Sequence, residues 1–327
     1  MIKVKLSTDL PYEPIIRQTP GSSGIWENFQ FFIDQEVEDC DYWVVYNGLT
    51  QRESCYCPPQ NTIFITAEPP DIKKYNPIFL RQFARILTFH RDIIHPKVAY
   101  GQPGLNWHVG RILLDVENRR SIVTKTYDDF KAMRHFEKHR LLSVVSSNKD
   151  YSAGHRKRLE MVQRLKEHFG DSIDIFGHGI RDIDDKWDAI AGYKYHVAIE
   201  NNYLSHYWTE KLADTYLAGA YPIYYGCPNL KQYFSSDAYT AIDINNPEQV
   251  IKTIEQCIDS NQYERSLHAI MAARDKVLDE YNMFPMIADF INRGGRKKIT
   301  IRPGAQFTSV VYRLPMPGSK RRITISP

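Results

Sequence analysis

Residues 193–228 read YKYHVAIENNYLSHYWTEKLADTYLAGAYPIYYGCP. The β-branched and aromatic residues at 195–199 predict a buried strand that ends abruptly at the polar residue Glu200. A helix is predicted to begin at Thr209, and a glycine and a proline end it before a second strand at 223–225. Open α/β sheets bind ligands where parallel strands end. The stretch therefore predicts a strand–loop–helix–strand unit with a ligand site in its loop.

The start of this helix has the features of an anion site. Free backbone N–H groups and the helix dipole favour a bound phosphate by about 0.3–1 kcal/mol. Lys211 adds a positive charge at the same place, so a nucleotide diphosphate would suit the site. The alternative is an ordinary β-α-β unit in which Glu210 only complements the positive end of the helix.

The same stretch resembles the donor-binding motif of the α-1,3/α-1,4-fucosyltransferases, glycosyltransferase family 10. The similarity lies in the Glu200-Asn201 pair, the nine-residue step from Asn201 to Glu210, the Tyr-x-Thr-Glu-Lys of 207–211 and the Ala-x-Pro-Ile that follows. Typical members have Phe-Glu-Asn-Ser where this chain has Ile-Glu-Asn-Asn. The resemblance covers about half of the chain.

A second donor motif is predicted after the strand that begins at Leu141. Basic residues crowd the first turn of the next helix, where they oppose the helix dipole, and such a conflict points to an anionic ligand. Ser147 and Asn148, followed by Arg156, resemble the second donor motif of the family, in which an arginine grips the diphosphate. The spacing to the downstream apolar residue favours Arg156 over Arg158, and guanidinium binds two phosphate oxygens at once.

Glu68 is the candidate catalytic residue. The predicted strand 62–66 runs into Ala67-Glu68-Pro69-Pro70, which places a carboxylate at its carboxyl end, in a loop stiffened by two prolines. The segment resembles the acceptor-domain strand of the family, whose terminal glutamate is thought to supply the general base. Without the family resemblance, a solvated loop acid would be the better interpretation.

The resemblance implies a GT-B-like α/β fold, in which two Rossmann-like domains face each other across a cleft. It implies a soluble, bacterial-type fucosyltransferase that moves fucose with inversion from GDP-fucose to an N-acetylglucosamine-containing oligosaccharide or glycolipid. Glu68 would be the base, while Arg156 and Lys211 would hold the diphosphate. The remaining donor contacts would come from Ser147, Asn148, Glu200, Asn201, Tyr207 and Glu210. Two alternatives stay open: a GT-B enzyme for another nucleotide sugar, and a non-catalytic glycan- or nucleotide-binding protein.

The chain of 327 residues predicts two domains of ordinary size. The first half alternates predicted strands at 2–6, 42–46 and 62–66 with a predicted amphipathic helix at 25–33. We predict an acceptor-binding domain at 1–124, a polar helical linker at 125–140, a donor-binding domain at 141–292 and a basic extension at 293–327.

The basic extension alone makes the protein basic. It holds nine lysines and arginines and no acid, whereas the preceding residues hold 33 basic and 39 acidic groups. A solvated, partly ordered tail is one interpretation, and contact with an anionic membrane face is the other, at about 1 kcal/mol per charge near the surface. Nucleic acid is not an expected partner, because the rest of the chain is acidic and carries no recognised nucleic-acid module.

The cysteine pattern predicts reduced thiols. The five cysteines have no disulfide-framework spacing, and Cys55-x-Cys57 without a second matching pair is a weak metal signal. The Asp182-x-Asp184 pair has the pattern that ligates a metal in a different glycosyltransferase fold, but helix capping is the favoured interpretation here. We expect no required metal or cofactor.

No apolar run approaches the ~20 residues of a membrane span, and the first residues lack the apolar core of a signal peptide. The expectation is a cytoplasmic protein, with peripheral contact at the inner membrane face through the basic tail as the alternative.

Overall fold

The computed structural model describes residues 1–10, 14–104, 106–115, 120–150, 152–294 and 319–327. Its amino-terminal half contains, in chain order, β1 Ile2–Thr8, β2 Ile25–Trp26, β3 Phe29–Ile33, β4 Tyr42–Tyr46, β5 Glu53–Cys57, β6 Thr62–Ile65, α1 Pro77–Leu80, β7 Arg85–Thr88 and β8 Val98–Tyr100. Seven of these strands form one sheet of order β2-β3-β1-β4-β6-β7-β8. Only the β2–β3 pair within this sheet is antiparallel.

The predicted strands at 2–6, 42–46 and 62–66 are confirmed, but the predicted helix at 25–33 is wrong. These residues form β2 and β3, and β3 pairs in parallel with β1. Phe29 and Phe31 are buried in the sheet core, whereas the residue between them is half-buried. This spacing of two residues is that of a strand, and aromatic residues favour strands.

The carboxyl-terminal half contains, in chain order, β9 Arg111–Asp115, β10 Arg120–Val123, α2 Tyr127–Ala132, β11 Arg140–Val145, α3 Ala153–Phe169, β12 Ile173–Phe176, β13 Tyr193–Ile199, α4 Glu210–Leu217, β14 Tyr221–Tyr225, β15 Thr240–Ala241, α5 Pro247–Asp259, α6 Gln262–Arg265, α7 Leu267–Asp279 and α8 Met283–Gly294. A parallel sheet of order β12-β11-β13-β14-β15 is its centre. The predicted unit of strand, loop, helix and strand is therefore confirmed as β13, α4 and β14. Among the described residues, no helix combines the length and apolar character needed to cross a membrane.

Hydrophobic packing divides the chain differently from the predicted domains. Helix α8, which the prediction places in the donor domain, packs through Phe284 and Ile287 against the core of the amino-terminal sheet. In the other direction, Trp107 and Val109 join the core of the carboxyl-terminal sheet together with Phe130 of α2. Within the described residues, the chain thus crosses between the two halves before Trp107 and again before α8.

Most of the predicted basic extension lies outside the described residues. Its last part forms β16, Arg321–Ile325, which pairs antiparallel with β5. Ile325 is buried in the hydrophobic core that includes residues of β5. The Lys320 ammonium lies 2.5 Å from the Asp39 carboxylate and 3.2 Å from the Asp41 carboxylate. These last residues are therefore a strand of the amino-terminal half and not a solvated tail.

The fully buried His196 of β13 predicts a pH dependence of stability. Burial lowers the pKa of this histidine from 6.5 to about 3, and its ring lies 2.8 Å from the Ser143 hydroxyl. Below pH ~6.5 the unfolded chain binds a proton that the folded chain does not bind, so the free energy of unfolding falls by about 1.4 kcal/mol per pH unit. Urea unfolding of His196→Gln should show roughly 2 kcal/mol less loss between pH 7 and pH 5 than the wild type. The exposed His268→Gln is the control, and an equal effect in both variants would contradict the assignment.

Candidate active site

A cavity of about 640 Å³ lies between the two halves. On the amino-terminal side it is lined by residues at the carboxyl ends of parallel strands, including Thr8 at the end of β1, Tyr46 at the end of β4 and Glu68 after β6. On the other side it is lined by the loops after β11 and β13 and by the first turns of α3 and α4. The carboxyl ends of two parallel sheets therefore meet at one cavity, which is where such sheets bind ligands.

The predicted site residues divide into two groups. The following six line the cavity: Glu68, Ser147, Asn201, Tyr207, Glu210 and Lys211. The following three do not belong to its lining: Asn148, Arg156 and Glu200.

Glu200 lies beneath the cavity and holds the start of α4. Its side chain is 1% exposed and accepts hydrogen bonds from the Thr209 backbone N–H at 2.8 Å and the Thr209 hydroxyl at 2.7 Å. Its carboxylate also lies 3.4 Å from the Lys211 ammonium. Burial raises the pKa of Glu200, against the opposing effect of Lys211. The residue therefore positions the helix start and its lysine, while the ligand-facing surface belongs to Glu210 and Lys211.

Glu210 and Lys211 form a tight ion pair on the cavity wall. The ammonium nitrogen lies 2.9 Å from a Glu210 oxygen. Burial opposes ionisation of Glu210, but Lys211, with further help from Lys186, holds the pKa of this carboxyl well below its usual value. Burial likewise opposes the charge on Lys211, but Glu210 and Glu200 raise its pKa. Both groups stay charged in the neutral pH range.

Arg158 provides the guanidinium that faces this cavity. It is 5% exposed and donates hydrogen bonds to the Asn201 side-chain oxygen at 2.8 Å and to the Ser147 carbonyl at 2.9 Å. It thereby connects the two loops that carry the predicted donor motifs. Burial lowers its pKa, yet a guanidinium remains charged at neutral pH.

Arg156, which the spacing favoured, is exposed on α3 and donates to the Asp150 carbonyl at 3.0 Å. Asn148 is also exposed, and its backbone N–H donates to the carbonyl of His178. The structure therefore favours Arg158 over Arg156 as the cavity arginine. The sequence offered both residues, and only their placement on α3 distinguishes them.

A glycine holds the start of α3 against the loop after β13. A Cβ atom on Gly154 would lie 1.7 Å from the carbonyl oxygen of Asn201, so any other residue would push the two segments apart. Ser152 caps the helix by accepting a hydrogen bond from the His155 N–H. The first turn of this 17-residue helix is thus directed at the cavity that His155 and Arg158 line.

Glu68 lies across the cavity on the amino-terminal side and is half-buried. Its backbone carbonyl accepts a hydrogen bond from the His90 ring at 2.7 Å, and the N–H of the preceding Ala67 donates to the Tyr75 hydroxyl at 3.2 Å. Burial and then the negative charge of Glu210 raise the pKa of Glu68, with Lys211 opposing. A carboxylate with a raised pKa in a cleft has the character of a general base.

Several cavity residues had no sequence signal, and two of them lie beside Glu210. His108 and Lys186 line the cavity beside Glu210, and both are held by Asp214 of α4. The fully buried Asp214 accepts the His108 backbone N–H at 3.0 Å and pairs with the Lys186 ammonium at 2.8 Å. Burial lowers the pKa of His108 well below its usual value, so its imidazole is neutral. The two residues come from segments far apart in the sequence, which no local motif brings together.

Asp185, the last residue of the acidic segment 182–185, serves the fold. Asp185 caps the short 3₁₀ helix Lys186–Ala189 by accepting the Trp187 N–H at 2.9 Å, and it also accepts the Gly110 N–H at 2.9 Å. Helix capping is therefore confirmed for Asp185 alone, while Asp182 accepts a hydrogen bond from the Gly179 N–H at 3.3 Å. Among the described residues, no group of three or more histidines, cysteines or carboxylates is arranged to hold a metal ion.

Two parallel α/β sheets that face each other across a polar cavity define a GT-B glycosyltransferase fold. Solved structures agree with this class. An α1,3-fucosyltransferase with GDP is 14% identical and covers 86% of this chain and 92% of its own, with a TM-score of 0.50. An α-glucosyltransferase in complex with UDP and a mismatched DNA is 8% identical and covers 89% of this chain and 100% of its own, with a TM-score of 0.56.

The sequence comparisons find a similarity in the carboxyl-terminal half. Residues 135–268 match the family described as glycosyltransferase family 10 (fucosyltransferase), C-terminal, which confirms the resemblance over this segment. A curated relative, GDP-fucose protein O-fucosyltransferase 3 of Danio rerio, is 30% identical over 101 residues. That match covers 31% of this chain and 21% of the relative, so the chain spans about a fifth of the relative's length.

Proposed function

We propose that this protein is an inverting fucosyltransferase that uses GDP-fucose and an N-acetylglucosamine-containing oligosaccharide or glycolipid. The observation that supports it most is the arrangement of one cavity. Arg158, Lys211 and Asn201 lie on the side formed by the segment that matches family 10, and Glu68 lies on the opposite side. A donor held by the first side would present its sugar to an acceptor hydroxyl near Glu68.

The diphosphate would bind to Arg158, Lys211 and the first turn of α3. Guanidinium and ammonium groups form charge-assisted hydrogen bonds with phosphate oxygens, and the free N–H groups of a helix start add to them. Asn201 and Tyr207 would contact ribose and sugar hydroxyls. Glu210, kept ionised by its lysine neighbours, would stabilise the positive charge that develops on the sugar ring.

Glu68 would act as the general base. The acceptor oxygen attacks the anomeric carbon from the face opposite the diphosphate, and its proton passes to the Glu68 carboxylate. The bond from the anomeric carbon to the phosphate oxygen breaks, and its electron pair leaves with GDP, which Arg158 and Lys211 hold. This single displacement inverts the anomeric configuration.

The direct test combines transfer and binding. The protein is incubated with GDP-fucose and N-acetyllactosamine, and the expected product is the fucosylated trisaccharide, whose new linkage NMR identifies as α. A parallel thermal-shift panel with GDP, UDP and their sugars distinguishes the alternatives: stabilisation by UDP alone would indicate another nucleotide sugar. Stabilisation by GDP-fucose without any transfer or loss of donor would indicate a binding protein.

Transfer is expected to survive chelation. Arg158 and Lys211 supply the positive charge that a divalent ion supplies in other enzymes, since side-chain cations stabilise a leaving diphosphate directly. Initial rates measured with excess EDTA should stay within about twofold of those without it. Loss of transfer on chelation, with recovery on addition of manganese, would contradict this prediction.

The cytoplasmic location and the contact of the basic extension with an anionic membrane stay predictions. The ion pairs of Lys320 with Asp39 and Asp41 neutralise one of the nine basic residues of the extension. Binding to vesicles would therefore depend chiefly on the other basic residues of 293–327.

A further inference from the structure

A second cavity, of about 890 Å³, opens along the seam between the two halves. Strand β8 and helix α8 line one side of it, and His206, Gln232 and Tyr233 line the other. The donor chemistry proposed above uses none of its lining residues.

The second cavity lies next to the cavity of about 640 Å³ described above, which we call the donor cavity. Met283 lines the donor cavity, and Met286, about one turn later on α8, lines the second. In the same way, the consecutive residues His206 and Tyr207 line the second cavity and the donor cavity respectively. The two cavities are therefore neighbours, and a ligand in one lies close to a ligand in the other.

His206 is held in an unusual backbone conformation at this boundary. Its φ is +67°, in the left-handed region that residues other than glycine rarely adopt. Its backbone N–H donates to the Asn229 side-chain oxygen at 2.7 Å, and its ring lies 2.6 Å from the Tyr233 hydroxyl. Strained residues persist where the surroundings impose them, and they cluster at ligand sites.

Tyr100 gives the second cavity an exposed aromatic surface. It is the last residue of the edge strand β8, lines the cavity and is 43% exposed. The Arg91 guanidinium lies over its ring at 4.0 Å from the centroid, which orients the ring while much of the residue stays accessible. A pre-oriented aromatic ring is suited to stacking on the apolar face of a flat, polar ligand.

The charges around this cavity favour a neutral ligand. Acidic and basic side chains both line it, and Asp289 pairs with Arg293 at 2.6 Å. A strongly charged ligand would meet like charges, whereas the amides of Gln232 and Asn292 suit hydroxyl groups. An aromatic ring with planar polar side chains matches a saccharide.

We propose that the second cavity binds the sugar residues of the acceptor beyond the one that receives fucose, with Tyr100 as the stacking surface. This inference rests on the proposed function, since it assigns an extended saccharide to the same reaction. Tyr100 is then a specificity-determining residue, because it acts on long acceptors and leaves the reacting end untouched.

The test compares a short and a long acceptor. KM and kcat are measured with N-acetyllactosamine and with its linear tetrasaccharide for the wild type, Tyr100→Ala, Tyr100→Trp and Tyr56→Ala. Tyr56 is the matched control, since it is 44% exposed and lies on β5, outside both cavities. In Tyr100→Ala, KM for the tetrasaccharide should rise roughly tenfold, with kcat and the disaccharide KM within about twofold of wild type. Tyr100→Trp and Tyr56→Ala should resemble the wild type.

Equal losses for the two acceptors, or an unchanged KM for the tetrasaccharide, would overturn the assignment. Calorimetric titration of the tetrasaccharide in the presence of GDP gives a second measurement that does not need transfer. If GDP-fucose is not a donor, transfer is absent in every variant, but the affinity should still fall in Tyr100→Ala and not in Tyr56→Ala. No saccharide binding to the wild type would overturn the inference itself.

Discussion

Replacing Glu68 with glutamine should lower the rate of sugar transfer by roughly 10²–10⁴-fold while leaving GDP affinity and folding close to wild type. A general base contributes on this scale, about 3–5 kcal/mol, and the amide keeps the shape of the side chain but cannot accept the proton. Single-turnover transfer measures the chemical step, and GDP titration measures donor binding. A variant within about threefold of the wild-type chemical rate would mean that the base lies elsewhere.

Glu210→Gln is the informative comparison for this variant. Because Glu210 pairs with Lys211 on the donor side, its replacement should weaken donor binding as well as turnover. The two variants should therefore differ in their kinetics. Glu68→Gln should lower only the rate of transfer, whereas Glu210→Gln should lower both that rate and the affinity for the donor.

The pH profile gives a second, independent readout of the base. Burial and the charge of Glu210 raise the pKa of Glu68, so the base is lost by protonation at a higher pH than an ordinary glutamate would be. On the acid side of the profile, kcat/KM should therefore fall at a higher pH than the usual pKa of a glutamate would give. Removing the like charge in Glu210→Gln should lower the pKa of Glu68 and move the acid limb to lower pH. An acid limb that does not move would contradict the coupling between these carboxylates.

Arg158→Ala should weaken GDP binding by about 1.5–3 kcal/mol, roughly 10- to 150-fold in Kd. The reason is the loss of a buried guanidinium whose charge-assisted hydrogen bonds would hold the diphosphate. Arg156→Ala is the matched control, since it lies two residues away on the same helix, is exposed and does not line the cavity. Isothermal titration with GDP should give near wild-type affinity for that control. An equal loss of GDP affinity in the two variants, or a loss only in Arg156→Ala, would contradict the choice of Arg158 over Arg156.

Lys211→Ala should show a loss of donor binding of similar size, with a cost in stability. Its removal leaves the buried Glu200 and the half-buried Glu210 carboxylates without their common cation, and breaking a buried pair typically costs about 3–5 kcal/mol. Urea unfolding must therefore accompany the titration. Arg158→Lys, which keeps a cation in the cavity, tests whether the fork of the guanidinium or only its charge binds the donor.

Local sequence was sufficient for the central unit of the carboxyl-terminal half. The run at 195–199 forms β13, Thr209 caps α4, and Glu210 and Lys211 lie at the start of that helix. These features depend on the period of a strand and on the capping chemistry of a helix start, which a few adjacent residues determine. The placement of Glu68 after the carboxyl end of β6 followed from the same kind of local pattern.

The direction of individual side chains required the tertiary structure. Arg156 and Arg158 are both in the first two turns of α3, but residues two apart on a helix point in different directions, and Arg158 shares the cavity side with His155. The close approach of Gly154 to the Asn201 carbonyl determines which side of α3 faces the cavity. Glu200 and Asn201 are likewise adjacent, yet one lies beneath α4 and the other lines the cavity.

The amino-acid sequence alone was enough to establish the strand and helix types from β11 to β14, the motif that resembles the family and the chemical groups available at the site. Which of those groups meet depended on the tertiary fold. Helix α8 packs on the amino-terminal core, β16 pairs with β5, and Asp214 holds both His108 and Lys186 at the cavity. These contacts join residues distant in the chain, and they form because burial of apolar surface and pairing of buried charges lower the free energy of the whole fold. Such contacts cannot be predicted from the local periodicity of the sequence or from a motif.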